Sequence, residues 1–441
     1  MIRKILFGFF LICLVNGQEW SLKLNRTEIK IKIDDTKEAT FNISFPKIIP
    51  EKWKLIANTS DEDLVSIEVP EFKNITKENI VWNERIKIKG LNLGKTKITL
   101  NVITNEGISA SSETLLVTII RPERLIDTIF VISVATLVSI LYINFGCAID
   151  WQIICETMKK PIGPLIGGVC QFIIMPLIAF GIGQILFPNN PEMQIGIFFT
   201  GISPSGGASN MWTLLLGGNL NLSIAMTALS TLAAFVTIPL WVFTLGKYIL
   251  EKGKLRVPYR NISTMAIGLI IPLGIGFLIQ KKYPKLCKTM VRITKTFSSI
   301  LILFIVIFAI ITNFYLFKLF SWRIVLAGMG LPWLGFMCGL IAMTLFKQPV
   351  TDIKAIAIET GIQNTGIAIF LLKFSMSQPE ADLTTVIPVS VAVMTPLPLL
   401  IGWIIKIVVD KKKKKLNGSS EIFETDHVPV TINSKEKSLQ N

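Results

Sequence analysis

Short runs in which every second residue is apolar recur between residues 18 and 121: SLKLN, EIKIKI, LVSIEV, RIKIKGLNL, KTKITLNVI and TLLVTII. Glycine, asparagine, aspartate and proline separate them. This period of two, punctuated by turn formers, predicts the strands of a small β-sandwich. From Leu125 the pattern changes to long apolar segments, at 125–147, 162–187, 193–217, 222–246, 258–279, 296–317, 322–346, 353–376 and 384–409. About twenty apolar residues carry a helix across a bilayer, so nine spans are expected. The fold class is then an all-α polytopic membrane protein with a β-rich N-terminal outside domain. Residues 1–17 belong to neither part. Arg3 and Lys4 precede an apolar stretch, Ile5–Val15, too short to span, and Val15-Asn16-Gly17 forms a cleavage site. That is the pattern of a signal peptide, with the mature chain starting at Gln18.

Four N-x-S/T sequons follow the signal peptide, at Asn25, Asn42, Asn58 and Asn74, and mark residues 18–121 as a glycosylated extracellular or lumenal domain. No cysteine lies between 18 and 146, so disulfides do not hold this domain together. With the N-terminal domain outside, nine spans of 122–409 leave the C-terminus in the cytoplasm. The lysine run Lys411–Lys415 agrees with the positive-inside rule, and 416–441 reads as a disordered tail. The loop 247–260, basic but outside, is the exception. The net charge of +15 is concentrated away from the outside domain, which has 16 basic and 15 acidic residues against 20 and 10 in 122–409. Basicity therefore tracks membrane orientation and gives no reason to invoke nucleic acid.

Composition alone, 51% hydrophobic and 17% charged, would give the membrane class; the polar residues inside the spans say more. In IAIETGIQNTGIAIFLL, residues 356–372, Glu359 lies deep in an apolar run beside Gly361, Gln363, Asn364 and Gly366. A charge at that depth costs ~2.5–3.5 kcal/mol on insertion scales and marks a functional position. A second interruption, SPSGGASN at Ser203–Asn210, breaks the third span with Pro204, Gly206 and Gly207 and supplies Ser205, Ser209 and Asn210. Ser223 and Thr227 follow, four apart on one helix face, and Gln171 stands alone in the second span. These are hard oxygen ligands suited to a dehydrated cation such as Na⁺. Histidine and cysteine, which suit softer metals, are absent from the set, and the only histidine is His427 in the tail. The sequence holds no P-loop and no G-x-S-x-G, so neither ATP-driven pumping nor triad hydrolysis has visible machinery, and no enzyme activity is expected. Broken helices at corresponding places in two halves point to an inverted-repeat transporter, with half-helix N-termini available to an anion.

INFGCAIDWQ, QFIIMP, SPSGGASN followed by LLLGGNLNLSIAMTALSTL, and ETGIQN together resemble the bile acid:sodium symporter family over most of 125–409. The resemblance implies panel and core domains related by inverted repeats, with two broken helices crossing in the core near two sodium sites. It places Ser209, Asn210, Ser223, Thr227 and Glu359 in the first site. The second takes Gln171, Glu359 and Gln363 with the backbone carbonyls of Thr360 and Ile362, and Asn364 contacts the substrate. Lys373, late in the broken span, is expected to snorkel outward rather than meet an anion.

The function expected is sodium-coupled symport of an amphipathic organic anion, of the bile acid or sulfated steroid class, by alternating access. Co-transported Na⁺ is the only ion or cofactor expected, and the bilayer and a small organic anion are the partners. A signal peptide directs the chain into the secretory route, with the plasma membrane as the expected destination. Two alternatives stay open. Glu359 binds H⁺ instead of Na⁺, or the chain is a glycosylated surface binding or sensor protein with vestigial transport sites.

Overall fold

The computed structural model of the protein describes residues 20–45, 53–70, 81–105, 107–122, 125–253, 255, 259–287, 289 and 321–425. The signal peptide, the sequon at Asn74, the span expected at 296–317 and the end of the tail lie outside these residues.

Nine strands come first: β1 (Ser21–Leu24), β2 (Glu28–Lys32), β3 (Thr36–Ser44), β4 (Trp53–Thr59), β5 (Val65–Glu68), β6 (Val81–Gly90), β7 (Gly94–Thr104), β8 (Gly107–Ser111) and β9 (Leu115–Ile120). They form two sheets, one ordered β1-β3-β6-β5 and the other β2-β9-β7-β4, with β8 added to β7. The parallel pair β2–β9 sits beside otherwise antiparallel neighbours. Alternation places Ile29 and Ile31, Phe41 and Ile43, Ile86 and Ile88, Ile98 and Leu100, and Leu115, Val117 and Ile119 in a common core. Each run that alternates in sequence coincides with a strand. β3, β4 and β8 were not among those runs. The first three residues of β3 are exposed and its buried series opens on small Ala39; β8 is short and almost wholly exposed.

The remaining elements are helical. α1 (Leu125–Ala148) bends by 70° into α2 (Trp151–Met158), where Asp150 accepts from Gln152 N and Ile153 N at 2.9 and 3.1 Å. Then come α3 (Ile162–Leu186), α4 (Pro191–Gly201), α5 (Ala208–Leu216), α6 (Leu220–Lys252), α7 (Tyr259–Lys282), α8 (Trp322–Leu345), α9 (Val350–Gly361), α10 (Thr365–Ser375), α11 (Glu380–Leu383), α12 (Val386–Met394) and α13 (Pro396–Thr425). Among the described residues, four stretches are long and apolar enough to cross a membrane: α3, α6, α8 and Glu380–Lys411; the bent α1–α2 pair makes a fifth. This mostly helical part with several apolar helices, after a β-rich region, fits a multi-pass membrane protein. The last helix differs from expectation. It continues to Thr425, into the segment read as disordered: a helix already nucleated in the apolar stretch propagates readily through the lysine run 411–415, while Asn417 and Gly418 beyond it are poor helix formers, and propensity does not account for their place in it.

Small residues bring α8 and α9 together. A Cβ on Gly339 would lie 2.7 Å from Ala357 Cα, and one on Gly335 would lie 3.0 Å from Gly361 Cα. The G-x-x-x-G spacing thus lets two backbones touch. Close contact of α8 with α9 fixes the helix that carries Glu359.

The three described sequons differ in access. Asn25 and Asn58 are exposed, whereas Asn42 is half-buried on β3 and its Oδ1 is shut from solvent. Expressed in a glycosylating cell, Asn25→Gln and Asn58→Gln are each expected to raise gel mobility by one glycan, and Asn42→Gln to leave it unchanged. A mobility shift with Asn42→Gln alone would contradict this ordering.

Candidate functional site

Both predicted interruptions are breaks. α4 ends at Gly201 and α5 begins at Ala208; α9 ends at Gly361 and α10 begins at Thr365. Each break leaves backbone groups without helical partners, which cannot remain bare in an apolar surround. The two breaks satisfy one another. Ser205 and Gln363 form an antiparallel bridge, with Gly206 N donating to Ile362 O and Asn364 N to Pro204 O, both at 2.8 Å. Ser205 Oγ donates to Glu359 O at 2.8 Å, closing a carbonyl at the end of α9. A side chain at 206 would be crowded, because its Cβ would stand 3.0 Å from Gln363 O and 3.1 Å from Ile362 Cγ2, so the facing backbone would have to give way.

This crossing brings most of the candidate ligands together. Glu359, 3% exposed, receives Ser223 Oγ on Oε2 at 2.9 Å and Thr227 Oγ1 on Oε1 at 2.5 Å. Asn210 Oδ1 lies 2.9 Å from Ser223 Oγ and 3.4 Å from Thr227 Oγ1, and Ser209 Oγ is 3.4 Å from Thr227 Oγ1. Thr213 Oγ1 approaches Ser223 Oγ at 3.2 Å, and Thr227 Oγ1 also reaches Ser223 O at 3.0 Å. These are seven oxygen–oxygen contacts served by the single protons of four hydroxyls. Not all can be hydrogen bonds at once. The surplus is oxygen facing oxygen in a buried place, an arrangement that a small cation relieves.

The second predicted set is assembled differently. Gln171 Nε2 donates to Gln363 Oε1 and to Ser203 O, both at 2.9 Å, while Gln363 Nε2 donates to Thr360 O at 2.7 Å. Gln171, Gln363 and Thr360 therefore meet. The Ile362 carbonyl is occupied by the crossing, and the Glu359 carboxylate receives the hydroxyls of Ser223 and Thr227. Asn364 caps α10, its Oδ1 accepting from Ile367 N at 3.1 Å, which commits that oxygen.

Several supporting features escaped sequence reading. Gln171 sits in a π-turn, Cys170–Ile174, within α3, and Trp241 Nε1 donates to the carbonyl of Phe172 in that turn at 2.8 Å. Nothing in CQFII announces a π-turn. Thr213 was legible: it stands four after Ser209, on the same face of α5. Ser230, whose Oγ accepts from Ser205 N at 3.3 Å, continues the Ser223–Thr227 face of α6 by three. Lys373 is a correction. It does not snorkel outward; it pairs with the buried carboxylate of Asp382, an anion that looked in sequence like an ordinary loop residue.

Comparison with known proteins matches the model of the Sodium Bile acid symporter family to residues 102–319. Over that segment, just under half of its length, the chain is similar to that family. The matched segment holds Gln171, Ser209, Asn210, Ser223 and Thr227 and stops before Glu359. The P3 protein of Homo sapiens is 32% identical over 259 residues, which are 58% of this chain and 54% of the P3 protein. The chain thus spans about half the length of the P3 proteins it matches. The ileal sodium/bile acid cotransporter of Oryctolagus cuniculus is 29% identical over 60% of this chain and 77% of its own length. Sodium/bile acid cotransporter 5 of Mus musculus is 26% identical over 95% of this chain and 98% of its own, so that similarity includes the β-rich region. The relatives whose names state an activity are cotransporters, not enzymes.

If the crossing depends on close approach at residue 206, Gly206→Val should destabilise the purified chain by about 1–3 kcal/mol, as overpacking does. Its neighbour Gly207, whose added Cβ would meet nothing within 4 Å, is the control, and Gly207→Ala should leave thermal unfolding in detergent nearly unmoved. Equal effects of the two substitutions would show that the crossing is not held by this contact.

Proposed function

We propose that the chain is a sodium-coupled symporter of an amphipathic organic anion, of the bile acid or sulfated steroid class, working by alternating access. The observation that carries this reading is the oxygen cage of Glu359, Asn210, Ser223, Thr227 and Ser209 beside two broken helices, with more oxygen contacts than protons to fill them. Na⁺ is the cargo that fits: the cage is all oxygen and carries one carboxylate, the hard set that a dehydrated alkali cation accepts. A second Na⁺ at Gln171, Gln363 and the carbonyls of Thr360 and Ile362, with Glu359 shared between sites, belongs to the same proposal. It requires the amide pair and the Ile362 carbonyl to exchange their present partners for the ion.

Electrostatics then link cation and anion. Two Na⁺ against one carboxylate leave a local charge of +1, and the N-termini of α5 and α10 both begin at the crossing with their positive dipole ends there. An organic anion lowers the cost of that charge, so each ligand favours the other's binding. Asn364, at the start of α10, stands where such an anion would be met. Inverted-repeat halves with panel and core domains supply the movement. In this reading residues 18–121 face the outside after signal cleavage at residue 17, residues 122–409 form the nine-helix transporter, and 410–441 lie in the cytoplasm of a plasma-membrane protein.

Glu359→Gln is expected to abolish sodium-stimulated uptake of bile acids or steroid sulfates while surface expression persists. With purified protein, Na⁺ at about a hundred times its Kd should stabilise the wild-type chain by ~2.7 kcal/mol against choline, and the variant by far less. Normal sodium-dependent uptake by the variant at the cell surface would refute the assignment. Uptake unchanged in choline but driven by a pH gradient would place H⁺ on Glu359 instead.

A further inference from the structure

A second group of charges lies away from the cage, where the β-sandwich meets the helices. Lys95 of β7 pairs with Glu380 of α11. Arg121, just after β9, approaches Asp382 with Nε 3.6 Å from Oδ2, and Asp382 also pairs with Lys373 of α10. Asp382 is 2% exposed and Glu380 8%. Glu192, at the start of α4, faces the same place; burial pushes its carboxyl upward, with Glu380 adding to the rise and Lys95 opposing it. A Cβ on Gly196 would lie 2.3 Å from Thr384 O, so α4 is pressed against the turn after α11. Among the described residues, the β-sandwich is thus joined to the helical part in two ways. One link is covalent, the few residues between Ile120 and Leu125. The other is this ionic group, seated on the end of α10 away from the crossing.

The placement matters because α9 and α10 form the broken pair that carries Glu359. Exposed ion pairs are worth little, but a buried pair cannot simply lose one partner, because the remaining charge must find another partner or water. A contact of that kind has two states. Asp382 is equipped for both: if Arg121 leaves, Lys373 remains to hold the buried carboxylate. Lys95, whose side chain is 37% exposed, can return to water without a new partner.

We propose that the β-sandwich is a latch on the transport cycle. Lys95 and Arg121 clip it to Glu380 and Asp382 of α11, which Asp382 ties to Lys373 near the end of α10, spanning from there to the start of α1. The clip must open for the site at the crossing to be exposed on the face that bears the sandwich. The latch rests on the transport reading above, since it regulates the movement that reading requires.

The test uses the full chain with Lys95→Cys and Glu380→Cys together, treated with a reducible bis-thiol cross-linker as long as the lost side-chain pair. Each single variant and the untreated protein are controls for the native cysteines. Cross-linking is expected to lower sodium-dependent uptake at least tenfold, and reduction to restore it. In parallel, Lys95→Ala should lower the half-saturating Na⁺ concentration two- to fivefold at equal surface level, and the swap of Lys95→Glu with Glu380→Lys should return it to the wild-type value. Full uptake by the cross-linked protein, or an unchanged Na⁺ dependence in Lys95→Ala, would overturn the latch. Absence of sodium-dependent uptake in the wild-type chain would instead overturn the transport reading itself.

Discussion

Everything at the centre of this protein depends on one constraint: backbone polar groups freed inside an apolar slab must find partners there. The breaks at 202–207 and 362–364 would each be expensive alone. They meet in a two-hydrogen-bond bridge between Ser205 and Gln363 that turns two defects into one joint. From that joint follow the glycine at 206, the hydroxyl of Ser205 on the last turn of α9, and the Glu359 carboxylate held among the hydroxyls of α5 and α6. Close α8–α9 packing through Gly335 and Gly339 holds α9 from the other side. The cage is preorganised by covalent geometry and packing, so a cation entering it would not have to build its own site.

Two ionic regions divide the labour of the charges. At the crossing, one carboxylate is surrounded by neutral oxygens. At the sandwich, carboxylates are matched by lysines and an arginine. A buried carboxylate stripped of its partner costs about 3–5 kcal/mol. The first region meets its carboxylate with the hydroxyls of Ser223 and Thr227; the second meets its carboxylates with cations of the chain itself.

How much of this was legible in the sequence depends on the range of each interaction. Helix breaks and hydroxyl faces are local patterns, so Pro204, Gly206, Ser223 and Thr227 could be read directly, and Glu359 was conspicuous in its apolar run. Strands with regular alternation were equally plain, while β3 and β8 lacked it. Contacts between distant segments were not legible. Nothing near Lys373 names Asp382, and nothing near Asp382 names Arg121. The commitment of Asn364 to capping and of the Ile362 carbonyl to the bridge likewise depends on how the two broken helices approach, which is a tertiary fact.

The π-turn at Cys170–Ile174 has a consequence of its own. A π-turn accommodates one residue more than the α-helix around it, and each residue advances a helix by about 100°. The half of α3 before Gln171 and the half after it are therefore set in different rotational phases. The earlier half turns Gly167 toward Met226 and Ile356, and the later half packs Met175 and Ala179 on the other wall. Deleting a single residue there would leave a more regular helix, yet it would swing one half by more than a quarter turn and carry Gln171 away from Gln363. Length in this segment is thus as much a part of the site as side-chain identity.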